Sequence, residues 1–195
     1  MQIIDITHEL TEGIKTYQSD PRVTMENVAS IDSDGYSVTR LSMGSHSGTH
    51  VDAQSHYCEN GQTAAEIPLN VLVGRCYVVD VEDFRVPANA KRVLVKGVGD
   101  GDSTLNMRQA EALLNSGVRV IGTDGMSIGN DDVHRRLLEQ QCVVLEMLDL
   151  SRAAVGMYTL CALPLKIATD GAPMRACLIE TAGSRSATEA VRNGG

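Results

Sequence analysis

Three of the five histidines of this 195-residue chain fall within eleven residues, in Ser45-His46-Ser47-Gly48-Thr49-His50-Val51-Asp52-Ala53-Gln54-Ser55-His56. On an extended strand His50 and Asp52 face the same side, about 6.6 Å apart, so both can lean on one divalent cation. His46 and His56 share that parity, yet a straight strand would hold them roughly 33 Å apart. A single site therefore needs a bend, and Gly48 is the natural place for one. Histidine and carboxylate with open positions form the ligand set of a hydrolytic Zn²⁺ or Mn²⁺ site. The competing reading is a polar surface loop that happens to hold histidines.

Two residues further along could complete such a site. Glu146 lies in the run Val143-Val144-Leu145-Glu146-Met147-Leu148, where a strand would bury it. A buried carboxylate needs a cation, which could be a metal or the side chain of Lys166. His134 falls in the first turn of an expected helix. There the positive end of the helix dipole disfavours imidazolium and leaves the neutral ring that a metal requires. A solvent-exposed histidine is the alternative.

The elements that must position these groups are readable in outline. Short β-branched runs predict strands over 3–7, 36–43, 76–81, 92–96, 118–122, 142–148, 160–167 and 174–180. One helix is expected over 106–116. Asn106 caps it, Gln109 takes the third position, Met107, Ala110, Leu113 and Leu114 form its apolar stripe, and Gly117 ends it. A second begins at 130–132 and runs to about 140, with Val133, Leu137 and Leu138 facing the core. Many strands with few helices predict a single mixed α/β domain around a curved sheet or open barrel. The first helix is placed to cross between two strands.

Composition excludes several functions. The net charge of −8 and the scattered arginines leave no basic track for nucleic acid or an anionic membrane. With no Trp and one Phe, a base-stacking platform is also excluded. No apolar run approaches the ~18 residues of a membrane span. Residues 1–10 carry no secretory signal, and the five cysteines are odd in number and widely spaced, so reduced thiols in a cytoplasm are expected. Residues 184–195 are expected to form a loose tail after a domain spanning 1–183.

His46-x-Gly48-Thr49-His50-x-Asp52-x-x-x-His56 resembles the HxGTHxDxPxH signature of the cyclase-type metal-dependent hydrolases, whose best-known activity is bacterial kynurenine formamidase (arylformamidase). The likeness extends along the chain. Asp5-Ile6-Thr7 with Tyr17 and Asp20-Pro21 resembles the family's opening, and Gly122-Thr123-Asp124-Gly125-Met126-Ser127 its GxDxxS strand end. His134 precedes Glu146 by twelve residues, like the family's late His and Glu. Leu163-Pro164-Leu165 and Ala172-Pro173-Met174-Arg175-Ala176 are similar to its C-terminal strands. The resemblance implies a swivelling β/β/α barrel-like domain and a homodimer or higher homo-oligomer. It implies that His46, His50 and Asp52 hold one metal and that Asp52, His134 and Glu146 hold a second. Zinc is the expected ion and manganese the other option. His56 takes the catalytic position and Tyr17 a substrate-side position where formamidases commonly carry Trp. Gln54 stands in place of the family's proline.

The implied reaction is hydrolysis of a formamide-like C–N bond by a metal-activated water, with His56 moving the proton. A cyclic amide or lactone hydrolase, like the isatin hydrolases, would need the same metals. A non-catalytic metal- or small-molecule-binding relative would need no His56. Thiol catalysis by Cys58 with His56 lacks an evident third group to orient the histidine. Asp124 could line the site or bond a loop.

Overall fold

The computed structural model describes residues 1–99 and 104–180, so the expected tail at 184–195 lies outside the described residues. The strands are β1 (Gln2–Asp5), β2 (Thr24–Ala29), β3 (Val38–Ser42), β4 (His50–Asp52), β5 (Val73–Asp80), β6 (Arg92–Lys96), β7 (Val120–Thr123), β8 (Val143–Glu146), β9 (Gly156–Pro164) and β10 (Gly171–Glu180). The helices are the single turns α1 (Ile31–Asp34) and α2 (Leu69–Leu72) and the longer α3 (Met107–Asn115) and α4 (Asp131–Glu139).

Among the described residues, seven strands in the order β10-β4-β8-β7-β6-β5-β9 close on themselves through β9–β10 pairing, and β1 adds to β10 outside the ring. The run β5-β6-β7-β8 is parallel, and the remaining contacts are antiparallel. α3 lies in the connection from β6 to β7 and α4 in that from β7 to β8, as parallel neighbours require. The expected mixed, helix-poor barrel is what forms.

Strand β6, Arg-Val-Leu-Val-Lys, explains the layering. Leu94 joins Val51, Val120, Leu145, Leu160 and Ala176 in one cluster, while Val93 and Val95 join Ile121, Val144, Leu113 and Leu137 in another. A strand buried on both faces reads as a continuous apolar run. Each fully buried Leu or Ile contributes about 1.5–3 kcal/mol of transfer free energy. α3 forms where its caps predict: the Asn106 side chain accepts from Gln109 N–H at 3.1 Å while Gln109 Oε1 accepts from Asn106 N–H at 2.9 Å.

Several boundaries differ from the sequence expectation. β8 stops at Glu146 rather than 148 because Met147 turns into the left-handed region, with φ 51°. β10 starts at Gly171 rather than 174, and β9 starts at Gly156 and ends at Pro164. β2 had no counterpart in the sequence reading. Its residues are exposed except for the half-buried Ala29, so it carries no burial pattern and is held by its ladder to β3.

Candidate metal centre

The predicted bend is real and has two parts. Gly48 adopts φ 63°, where a Cβ would meet Ile14 Cδ1 at 3.0 Å. Beyond the three residues of β4, the chain coils into a 3-10 turn over Gln54–His56. The His46 and His56 rings, far apart on any straight strand, come to a centroid distance of 4.1 Å.

Barrel register brings in the distant residues. His50 pairs directly with Glu146 across β4 and β8. Thr49 locks this junction, its hydroxyl donating to the Met147 carbonyl at 2.5 Å and accepting from His8 N–H at 3.0 Å. α4 lowers His134 onto the same end: Asn130 caps it by accepting from Val133 N–H, and the Tyr57 ring stacks on His134 at 5.1 Å.

Asp52 is at the centre and fully buried. Its Oδ1 lies 2.7 Å from His46 Nδ1 and 3.3 Å from His50 Nε2, and its Oδ2 lies 2.7 Å from His134 Nε2. Glu146, 4% exposed, places Oε2 at 3.7 Å from His50 Nε2 and Oε1 at 3.8 Å from His134 Nε2. His50 has its tautomer set from behind: Nδ1–H donates to the Gly48 carbonyl at 2.7 Å, which frees Nε2. Glu146 accepts from Ile128 N–H at 2.7 Å. Lys166 is not among its contacts.

The electrostatics are those of a cation site. Burial opposes ionisation of Asp52, yet the adjoining His50 ring and hydrogen bonds from His134 and His46 hold its carboxyl well below the usual range. Burial, and then the charge of Asp52, push the Glu146 carboxyl well above it. For His46, burial works against the charged ring, but the bond and charge of Asp52 and then of Asp170 carry it up to about 9. His56 is pushed down by burial, and the charge of Asp52 only partly offsets this. Buried carboxylates facing imidazole nitrogens, one of them unable to ionise comfortably, fit a divalent ion that would balance both. Ligand atoms of His46, His50 and Asp52 lie within 4.8 Å of one another, as do those of Asp52, His134 and Glu146.

The cluster opens into a cleft of about 710 Å³ lined also by Tyr17, Tyr57, Met126 and Met147. Tyr17 stands at its edge, 61% exposed. Asp124 instead bonds a loop, accepting from the N–H groups of Gly97, Val98 and Gly99. Cys58 is a half-buried free thiol. Sequence reading missed Asp170 and Tyr57. Asp170 reads as an ordinary turn aspartate, and its only signal is that it precedes the Gly171-Ala172-Pro173 start of a strand. Tyr57 offers only its adjacency to His56.

The donor set is that of a hydrolytic metal centre at the end of a mixed barrel. The family model Cyclase ("Putative cyclase") matches residues 4–100. The chain is 34% identical over 207 residues to a kynurenine formamidase of Salinibacter ruber, covering 91% of this chain and 97% of that one. It is 33% identical to a kynurenine formamidase of Maricaulis maris, covering 90% and 97%. Among solved structures, a "predicted metal-dependent hydrolase" from Bacillus stearothermophilus superposes with a TM-score of 0.73 at 26% identity, over 91% of this chain and 97% of the other. Isatin hydrolase A from Labrenzia aggregata shares the fold, with a TM-score of 0.74 at 23% identity over 92% and 94%. This chain belongs to the Cyclase family of metal-dependent hydrolases.

Proposed function

We propose that the protein hydrolyses the C–N bond of a small formamide-like amide, as an arylformamidase-type enzyme holding two divalent metal ions, zinc in preference to manganese. The observation that carries this reading is Asp52, buried with three histidine nitrogens on its two oxygens and with Glu146 beside them. His46, His50 and Asp52 would hold one ion. Asp52, His134 and Glu146 would hold the other, so Asp52 belongs to both sets. Bound there, the ions supply Lewis acidity for the amide carbonyl and make water acidic enough to attack at neutral pH.

The chain's own groups do the rest. His56 lines the cleft without belonging to either ligand set and is biased toward the neutral ring, so it can accept a proton from water and return it to the leaving nitrogen. Tyr17 and Tyr57 border the space open to the acyl and amine portions of the substrate. The walls supply few aromatic rings, which favours a compact substrate over one needing a deep aryl slot. We place the working enzyme in the cytoplasm as a homodimer or higher homo-oligomer of a domain spanning 1–183.

Metal content per chain is the direct test, measured by plasma mass spectrometry on untagged protein purified without chelator. About two zinc or manganese ions, lost in Asp52→Ala, are expected. Hydrolysis of N-formylaniline, compared with a cyclic amide, then identifies the bond class. Preference for the ring would move the assignment to a cyclic-amide hydrolase. A protein that takes up no metal would be a binding relative.

A further inference from the structure

Asp170 lies where the two histidines flanking β4 converge. Its Oδ2 lies 2.9 Å from His46 Nε2 and 3.2 Å from His56 Nδ1, and its Oδ1 accepts the Ser45 hydroxyl at 2.9 Å. The residue is itself fixed, because its carbonyl accepts from Ala53 N–H at 2.8 Å, at the foot of the turn that carries His56. The next residue, Gly171, pairs with Asp52, and a Cβ there would lie 2.6 Å from His46 Cε1. Glycine at this step allows β10 to bring the carboxylate against both rings.

A carboxylate can only accept, so each ring nitrogen facing it must carry the proton. For His56 that leaves Nε2 as the lone pair. For His46, whose Nδ1 faces the Asp52 carboxylate at 2.7 Å, both nitrogens carry a proton while no ion is bound, and with Nε2–H held by Asp170 it is Nδ1 that would lose its proton to become the ligand atom. We infer that Asp170 is a positioning residue that holds His56 in the Nδ1–H tautomer for proton transfer and braces His46 from behind as a ligand. The inference rests on the proposed metal-dependent hydrolysis. A base oriented by a third group is the general arrangement of acid–base catalysis, and a carboxylate behind a ligating histidine is the usual outer support of a metal.

The test uses the zinc-loaded protein as wild type, Asp170→Ala and Asp170→Asn. Ala removes the acceptor. Asn can keep its oxygen on the rings and turn its amide nitrogen to the Ser45 hydroxyl. With five histidines in the chain, long-range ¹H–¹⁵N correlation reads each tautomer. Competition with a chromophoric chelator reads zinc affinity, and N-formylaniline turnover at saturating zinc reads kcat and KM. His56 is expected as Nδ1–H in wild type and Asn, and as a tautomer mixture in Ala. The Ala variant should lose about 10²-fold in kcat with KM little changed, and about 10- to 100-fold in zinc affinity, with Asn recovering most of both.

An Nε2–H His56 in wild type would overturn the inference. So would an Ala variant with unaltered tautomer and kcat, or equal losses in Ala and Asn accompanied by a lowered Tm. If wild type binds no zinc and cleaves no amide, the proposed function fails, and the tautomers of the metal-free proteins still decide the role of Asp170.

Discussion

Two trios built from histidine and carboxylate sit side by side at the end of this barrel, the inner with two carboxylates and the outer with two histidines. Asp52, His134 and Glu146 form the inner one, with side-chain exposures of 1, 6 and 5%. His46, His56 and Asp170 form the outer one, at 14, 29 and 42%. The inner groups have exchanged water for one another, so their charges must be balanced within the cluster or by an ion. The outer groups keep contact with solvent and cleft, so protons can come and go. In the proposed site, burial and the number of carboxylates set the inner trio apart as cation holders; His46 would join them as a ligand, and His56, with solvent in reach, is left to move a proton.

The largest effect is expected of Asp52→Ala. It should abolish metal binding and lower turnover by roughly 10⁴-fold, read by metal analysis and kinetics on the same preparation. His56→Ala should lower turnover by about 10²- to 10⁴-fold with metal content unchanged. Loss of metal in that variant would erase the division between the trios.

The pH profile sharpens the same line. Because burial lowers the His56 pKa below its ordinary 6.5, the acid limb that this ring gives to wild-type kcat/KM should be centred below pH 6.5. His56→Ala should lack that acid limb. A wild-type profile without a limb below 6.5 that His56→Ala removes would contradict the assignment.

Glu146→Gln probes the inner trio from its stability side. The folded carboxyl titrates above its unfolded value of 4.5. As pH rises past 4.5 the unfolded chain ionises first, so this residue costs the metal-free fold stability at neutral pH. The chelated Gln variant should therefore gain about 1–2 kcal/mol at pH 7, a Tm rise of about 3–6 °C, and gain little at pH 4. Its metal affinity should fall. Calorimetry of chelated samples at both pH values checks the sign. The smallest effect is expected at the exposed rim, where Tyr17→Phe should change KM by no more than about threefold.

Local physics made much of the barrel legible in the sequence. Capping by Asn106 and Asn130, the β-branched runs of β6 and β8 and the helix between parallel strands all follow from short-range rules. β2 was not legible, because its exposed residues form no apolar face and only the ladder to β3 defines it. At the site, the parity of His50 and Asp52 and the need for a bend at Gly48 were also local facts.

The candidate ligands and the turn between His46 and His56 can be read from the order of residues alone, because strand spacing and glycine freedom are properties of a few consecutive residues. The placement of Glu146 opposite His50, the full burial of Asp52 and the reach of Asp170 to both outer histidines arise from the folded barrel. Those facts depend on the register of β4 against β8 and β10, where residues about a hundred positions apart or more meet, and no local spacing encodes the meeting.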